Sequence, residues 1–173
     1  MINHSVTNET QDTTTDTINI SKIPNKEELK KSAGSATSTW SGFVYQGKVG
    51  LYHSLKLLEQ DNSLKYSLQL DSLEDFSIIN NDFAISIHQV KAKLSKYRTS
   101  YLDAFKKVSD KSLLNIVNQD TERFLHVTAD IDDDDDYEDG KNKVCVYEYG
   151  DNKYCKLSEI DGKIKETICK VSG

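Results

Sequence analysis

No paired-cysteine motif and no long apolar run occurs in this sequence. Its three cysteines, Cys145, Cys155 and Cys169, are odd in number and form no CxxC pair. That argues against a zinc site and against a disulfide framework, and it suits scattered thiols in a reducing compartment. No apolar stretch approaches the roughly 18 residues of a membrane span. The N-terminal MINHSVTNETQDTTTDTINI has neither the charged nor the apolar segment of a signal peptide. The expected location is the cytoplasm, with no membrane partner. Hydrophobic residues are scarce too, at 36%, and the shortfall lies in the first 38 residues and in the run Asp130 to Asp139. Setting those aside leaves roughly 120 residues, enough for a single core.

The acidic run, ADIDDDDDYEDG, holds Asp130, Asp132, Asp133, Asp134, Asp135, Asp136, Glu138 and Asp139 and no base. It lacks the glycine at position six and the glutamate at position twelve of a calcium-binding EF-hand loop. A solvated acidic loop at 130–140 is expected instead. Against a net charge of −6, those eight acids leave the remainder of the chain at +2. The acidic total therefore does not exclude a nucleic-acid partner for the folded part.

Residues 1–36, rich in Thr, Asn, Ser, Asp and Lys, bury too little to offset their ordering entropy and read as a disordered tail. Ile18, Ile20 and Ile23 alternate loosely within it and offer an arm. Residues 37–173 read as one domain. In STWSGFVYQGKVGLYHSLKLLEQ, Val44, Leu51, Leu55 and Leu58 suit one face of a helix starting near Ser41–Gly42 and ending at Asp61–Asn62. Gly47 and Gly50 each cost that helix about 1 kcal/mol relative to Ala, which points to close approach by another backbone or a ligand. Gln46, Gly50 and His53 form a polar stripe at helical spacing.

The stretch from Tyr66 to Ala92 reads as two strands joined by a turn at Asn80-Asn81-Asp82. Period-2 geometry places Asp71 and Asp75 on one face of the first strand and Glu74 on the other, unless a bulge intervenes. Gln89 and Lys91 share a face of the second strand, with Val90 pointing the opposite way. Tyr101, Phe105 and Val108 predict a helix from about Thr99 with a break at Ser109-Asp110. Leu113, Leu114, Ile116 and Val117 continue an apolar face. RFLHVTADI and Val144 to Tyr149 read as further strands, with a turn at Gly150–Asn152. Ile160, Ile164 and Ile168 predict a last helix with Ser158 near its cap. The fold class is α/β, a mixed central sheet flanked by helices.

The constellation with chemical content is Asp75, with Asp71 or Glu74, followed 14 to 16 residues later by Gln89-Val90-Lys91. Phosphodiester hydrolysis needs a cation to polarise the phosphoryl oxygen and activate water. Mg²⁺, or Mn²⁺ in its place, prefers carboxylate and amide oxygens, and an adjacent lysine orients water or offsets charge growing on phosphate. The competing reading is a surface hairpin with solvated charges. The basic segment that follows, Lys93, Lys96 and Arg98, suits a DNA backbone or plain solvent equally well. His88 reads as a packing residue, and His53 and His126 suggest no role.

The helix SGFVYQGKVGLYHSLKLL, then LEDFSI, then HQVKA, resembles the PD-(D/E)XK nuclease superfamily. The match is to the nuclease-like N-terminal domains of bacterial anti-phage effectors, including cyclic-oligonucleotide-associated endonucleases and ABC-three-component systems. The resemblance covers roughly residues 38–130. It implies a restriction-endonuclease-like fold and a metal-dependent endonuclease acting on double-stranded DNA. Asp75 would bind metal with Asp71 or Glu74 in support, Gln89 and Lys91 would end the hairpin, and Gln46 would act from the helix. Most of the superfamily has an acid at the position of Gln89, so an amide there implies weaker metal binding. The alternative is an inactive adaptor that binds an ATPase or sensor protein of a multi-gene defence system, or a plain nucleic-acid-binding domain. A homo-oligomer stays open.

Overall fold

A single helix, α1, runs from Lys26 to Gln60. The chain's one proline, Pro24, precedes it, so nothing removes a donor along its length. At 1.5 Å per residue it is about 52 Å long. The computed structural model describes residues 26–61, 65–110, 115–140 and 142–172. Most of the expected tail, its isoleucine arm, and Leu113 and Leu114 lie outside that set. The helix begins at Lys26 rather than near Ser41 and so takes in the end of the segment read as tail. Its buried face also differs from expectation. Tyr45, Val49 and Tyr52 are buried, together with Gln46 and His53, whereas Val44, Leu51 and Leu58 are exposed. The polar stripe, not the leucine stripe, meets the sheet. Tyrosine can sit inside because its hydroxyl finds a partner: Tyr45 Oη donates to the Cys155 carbonyl at 2.6 Å.

The strands are β1 (Ser67–Leu70), β2 (Phe76–Asn80), β3 (Phe83–Lys91), β4 (Glu122–Val127), β5 (Tyr137–Asp139) and β6 (Asn142–Val146). Six strands form a mixed sheet in the order β1-β2-β3-β4-β6-β5. β3 and β4, and β4 and β6, are parallel, and the other pairs are antiparallel. The hairpin turn falls where the sequence puts it. Asn81 and Asp82 both have positive φ, 48° and 69°, as a tight two-residue hairpin loop requires.

The first strand of that hairpin is not continuous, however. It is two antiparallel strands, with the chain reversing at Asp71–Asp75. Asp71 takes φ of 54°, and its N–H donates to the Asp75 carbonyl at 3.1 Å. The period-2 assignment of Asp71, Glu74 and Asp75 is therefore replaced by a loop.

Between β3 and β4 a short 3-10 turn at Arg98–Tyr101 leads into α2 (Leu102–Ser109), which ends at the expected break. Tyr101, Phe105 and Val108 are buried as spaced. Ile116 lies in a turn and Val117 in the irregular segment after it, rather than in a helix. The last helix, α3 (Ile160–Val171), buries Ile160 and Ile164. Glu159, not Ser158, stands at its N-cap, without a side-chain cap bond.

Strand alternation sorts the core into two layers. On one face Tyr45, Val49 and Tyr52 of α1 meet Phe76, Val90, Tyr147, Tyr149, Cys155, and Ile160 and Ile164 of α3. On the other, Tyr101, Phe105 and Val108 of the α2 segment meet Leu125, Val127, Val144 and Val146. The architecture is α/β, a mixed sheet with helices on both faces. Among the described residues no helix is long and apolar enough to cross a membrane. All three cysteines are free thiols. Burial pushes both Cys145 and Cys155 up to about 11, so neither is a thiolate nucleophile near neutral pH.

Candidate functional site

Four residues singled out by spacing come together at one end of the β2–β3 hairpin. Asp75 immediately precedes β2, and Gln89, Val90 and Lys91 end β3; the register Phe76↔His88 brings them level. The Asp75 carboxylate accepts through Oδ2 from the Gln89 side-chain amide and from the Val90 backbone N–H at 2.6 Å. From α1, Gln46 Nε2 donates to Asp71 Oδ1 at 3.0 Å and to the Asp75 carbonyl at 2.5 Å. One glutamine thus ties both ends of the Asp71–Asp75 reversal to the helix. Gly50, one helical turn along, faces side chains at ordinary contact distance. A Cβ there would meet the Leu68 side chain at 3.4 Å and Phe76 at 3.6 Å. Gly47 has no such neighbour, since nothing lies within 4 Å of its would-be Cβ.

Asp75 opens into a shallow hollow of about 200 Å³ lined by Gly42, Phe43, Gln46, Asp75, Val90 and Ala92. Burial pushes its carboxyl above the ordinary range. The Val90 N–H, the Lys91 charge and the Gln89 amide pull the other way, and neighbouring Glu74 adds to the rise. Lys91 is half-buried and acts on Asp75 through space.

Glu74 takes a separate position. Its side chain is fully buried, with Oε2 2.7 Å from Lys107 Nζ of α2. The Lys107 ammonium is held above its usual value, chiefly by this hydrogen bond. Glu74 therefore serves an ion pair with α2, and Asp75 is the carboxylate that lines the hollow.

Among the described residues no group of three or more His, Cys, Asp and Glu side chains is disposed to hold a metal. The donors at hand are two carboxylates and an amide. Gln89 Oε1 is buried and has no hydrogen-bond partner. An orphaned carbonyl oxygen beside a carboxylate is the donor type a hard, hydrated cation accepts. Asp75, Asp71 and Gln89 are the side chains here that carry such oxygens. The same amide also sets a limit, because its nitrogen, not its oxygen, faces Asp75.

The basic segment divides. Lys93 and Lys96 are exposed, and Lys96 Nζ lies 5.4 Å from the centroid of the Tyr97 ring. Arg98 does not reach solvent freely. Its side chain is 15% exposed, and its guanidinium lies 4.7 Å from the centroid of the Phe105 ring. Nη1 donates to the carbonyls of Asp133 (3.1 Å) and Asp135 (2.5 Å) and to Asp133 Oδ1 (3.1 Å). The acidic run is thus fastened at Arg98, while Asp132, Asp133, Asp135 and Asp136 remain exposed to solvent. Ile131 is buried, and residues 137–139 form β5.

Sequence reasoning missed a buried polar chain. Ser86 Oγ lies 2.8 Å from His88 Nε2, His88 Nδ1 lies 2.9 Å from His126 Nε2, and His126 Nδ1 lies 2.7 Å from Tyr149 Oη. A neutral imidazole has one N–H and one lone pair, so all three contacts are satisfied when the protons run in one direction along the chain. His53 lies tilted beside it, its ring centroid 4.3 Å from that of His88, with Nδ1 2.9 Å from Tyr147 Oη. Burial holds His53 down to about 4 and His88 and His126 well below their ordinary value. The one sequence signal was a histidine inside each of two apolar strands, SIHQV and FLHVT. Joining them required the nonlocal register Val90↔His126.

No protein-family model matches the chain, and neither a curated protein nor a solved structure does.

Proposed function

We propose that this chain is a metal-dependent endonuclease domain acting on double-stranded DNA, in the setting of bacterial defence against phage that the sequence resemblance implies. The observation that carries the reading is the clasp that joins Asp75 to both Gln89 and Gln46, beside a hollow that Asp75 and Gln46 line, with Lys91 close by. Asp75, Gln89 and Asp71 would hold Mg²⁺ or Mn²⁺, which supplies polarisation of the phosphoryl oxygen and an activated water. Lys91 offsets the charge that grows on phosphate, in a half-buried setting where a cation counts for more than in bulk water. Gln46 positions the loop that carries both aspartates.

The test is plasmid cleavage in Mg²⁺ by wild type, Lys91→Ala and Asp75→Ala. Wild type is expected to cleave, and each variant to lose roughly a hundredfold or more, the scale seen when one charge-stabilising donor is removed. Equal cleavage by all three rules the assignment out.

A second reading draws on one specific observation. The Gln89 nitrogen binds Asp75, so the carboxylate is already clasped by protein donors. That favours a nuclease-like adaptor that keeps the fold to bind a partner ATPase, a sensor protein or nucleic acid. It predicts no Mg²⁺-dependent heat in titration calorimetry, and stable co-purification with products of neighbouring genes.

A further inference from the structure

The acidic run lies along the basic segment that follows the hollow, and the contacts between them are many. Asp132 N–H donates to the Lys96 carbonyl at 2.7 Å, and Arg98 N–H donates to Asp132 Oδ1 at 2.8 Å. The Arg98 guanidinium takes Asp133 and Asp135 as described. On the far side of the run, Lys153 Nζ meets the Asp134 carbonyl at 3.1 Å and Asp134 Oδ1 at 3.5 Å, and Lys143 Nζ meets Asp136 Oδ2 at 2.5 Å. The carboxylates of Asp132, Asp133, Asp134 and Asp136 are thereby held, and the run joins the basic segment at the Lys96 carbonyl and at Arg98. A row of negative charges along cations is the pattern a nucleic-acid backbone presents to a protein.

Resting on the nuclease reading above, we infer that the segment Asp132–Asp136 is an internal competitor for the polyanion surface formed by Lys91, Lys93 and Lys96. It lowers the affinity of the site for DNA until it is displaced or neutralised. The acids need not touch the lysines to do this. Within a Debye length of about 8 Å at physiological salt, a fixed row of carboxylates opposes an incoming phosphate. Its place in the fold keeps the row there, since Ile131 is buried in the core on one side and β5 pairs with β6 on the other. The restraint acts on binding, so it is separable from the chemistry at Asp75.

The experiment compares two triple variants of the full chain that change net charge equally. One, Asp133→Asn/Asp134→Asn/Asp135→Asn, keeps oxygens able to accept the Arg98 and Lys153 bonds while removing the charge beside the strip. The other, Asp82→Asn/Asp120→Asn/Glu122→Gln, removes three charges at the opposite end of β3 and β4. Binding of a fluorescently labelled duplex oligonucleotide is read by anisotropy in EDTA, so that no cleavage intervenes. The first variant is expected to bind roughly fivefold more tightly than wild type at low salt, and the difference to vanish at high salt. The second is expected to differ little from wild type. An equal gain in both variants would mean net charge alone acts and would overturn the inference; no gain in the first would do the same. Equal cleavage by wild type and Asp75→Ala bears on the nuclease reading alone, since Asp75 is not part of the lysine strip, and leaves this comparison intact.

Discussion

Gln89 carries more of the outcome than any other partner of Asp75. Its amide N–H stabilises the Asp75 carboxylate, and its buried Oε1 lacks a partner. Gln89→Glu reverses both features. It removes a donor to a charged acceptor and places a second carboxylate against Asp75, at a cost of about 1–3 kcal/mol. In EDTA the variant is expected to melt at a lower temperature than wild type, and added Mg²⁺ to restore it. Calorimetric titration is expected to show tighter Mg²⁺ binding than in wild type. An unchanged melting temperature with no gain in metal affinity would remove Gln89 from the donor set. Lys107 is its counterpart on the α2 side. Lys107→Ala leaves the fully buried Glu74 carboxylate without its ion pair, so it is expected to lower stability more than Lys106→Ala on the exposed neighbour, as read in urea midpoints.

At the level of elements, the two glycines of α1 that sequence reasoning grouped together separate cleanly. Gly47 has open space around it, so Gly47→Ala is expected to raise stability by about 1 kcal/mol through helix propensity. Gly50→Leu is expected to lower it by about 1–3 kcal/mol, because side-chain atoms past Cβ run into Leu68 and Phe76. Denaturant midpoints of the two variants check both signs. The sequence made the hairpin turn, the β3 ending and the α2 spacing legible because each rests on short-range geometry. Three features were not legible. The reversal at Asp71–Asp75 uses a positive φ at an aspartate, where no glycine advertises a turn. The buried face of α1 depends on tyrosines whose hydroxyl partners lie far along the chain. The clasp between Arg98 and the acidic run joins segments 35 or more residues apart that each looked solvated alone.

For the molecule as a whole, the buried histidines set the response to acid. Their folded values lie below the ordinary 6.5, so the unfolded chain binds protons that the folded one does not. Stability from this source is fully present above about pH 6.5 and is lost as pH falls toward the folded values, about 4 for His53. Each histidine contributes up to about 1.4 kcal/mol per pH unit. Asp75, with its raised value, works in the opposite direction and offsets part of the slope. A charged imidazole donates from both nitrogens, so protonating His88 and His126 together also sets two N–H groups against each other. Melting temperature is expected to drop between pH 6.5 and 4.5, and to drop less steeply in His53→Phe. Parallel profiles in the two proteins would exclude His53 from the effect.

The tie from Tyr45 to Cys155 spans 110 positions, and Ile160 and Ile164 of α3 close the same core layer. During synthesis α1 therefore leaves the ribosome long before the residues that cover it. The β1–β2–β3 meander, contiguous in the chain, can pair early, but the helix carrying Gln46 lacks its full packing until α3 has emerged. At elongation rates of about 5–20 residues per second, Tyr45 and Tyr52 wait several seconds for their partners. The cluster of Gln46, Asp71 and Asp75, assembled this way, stays incomplete on the nascent chain.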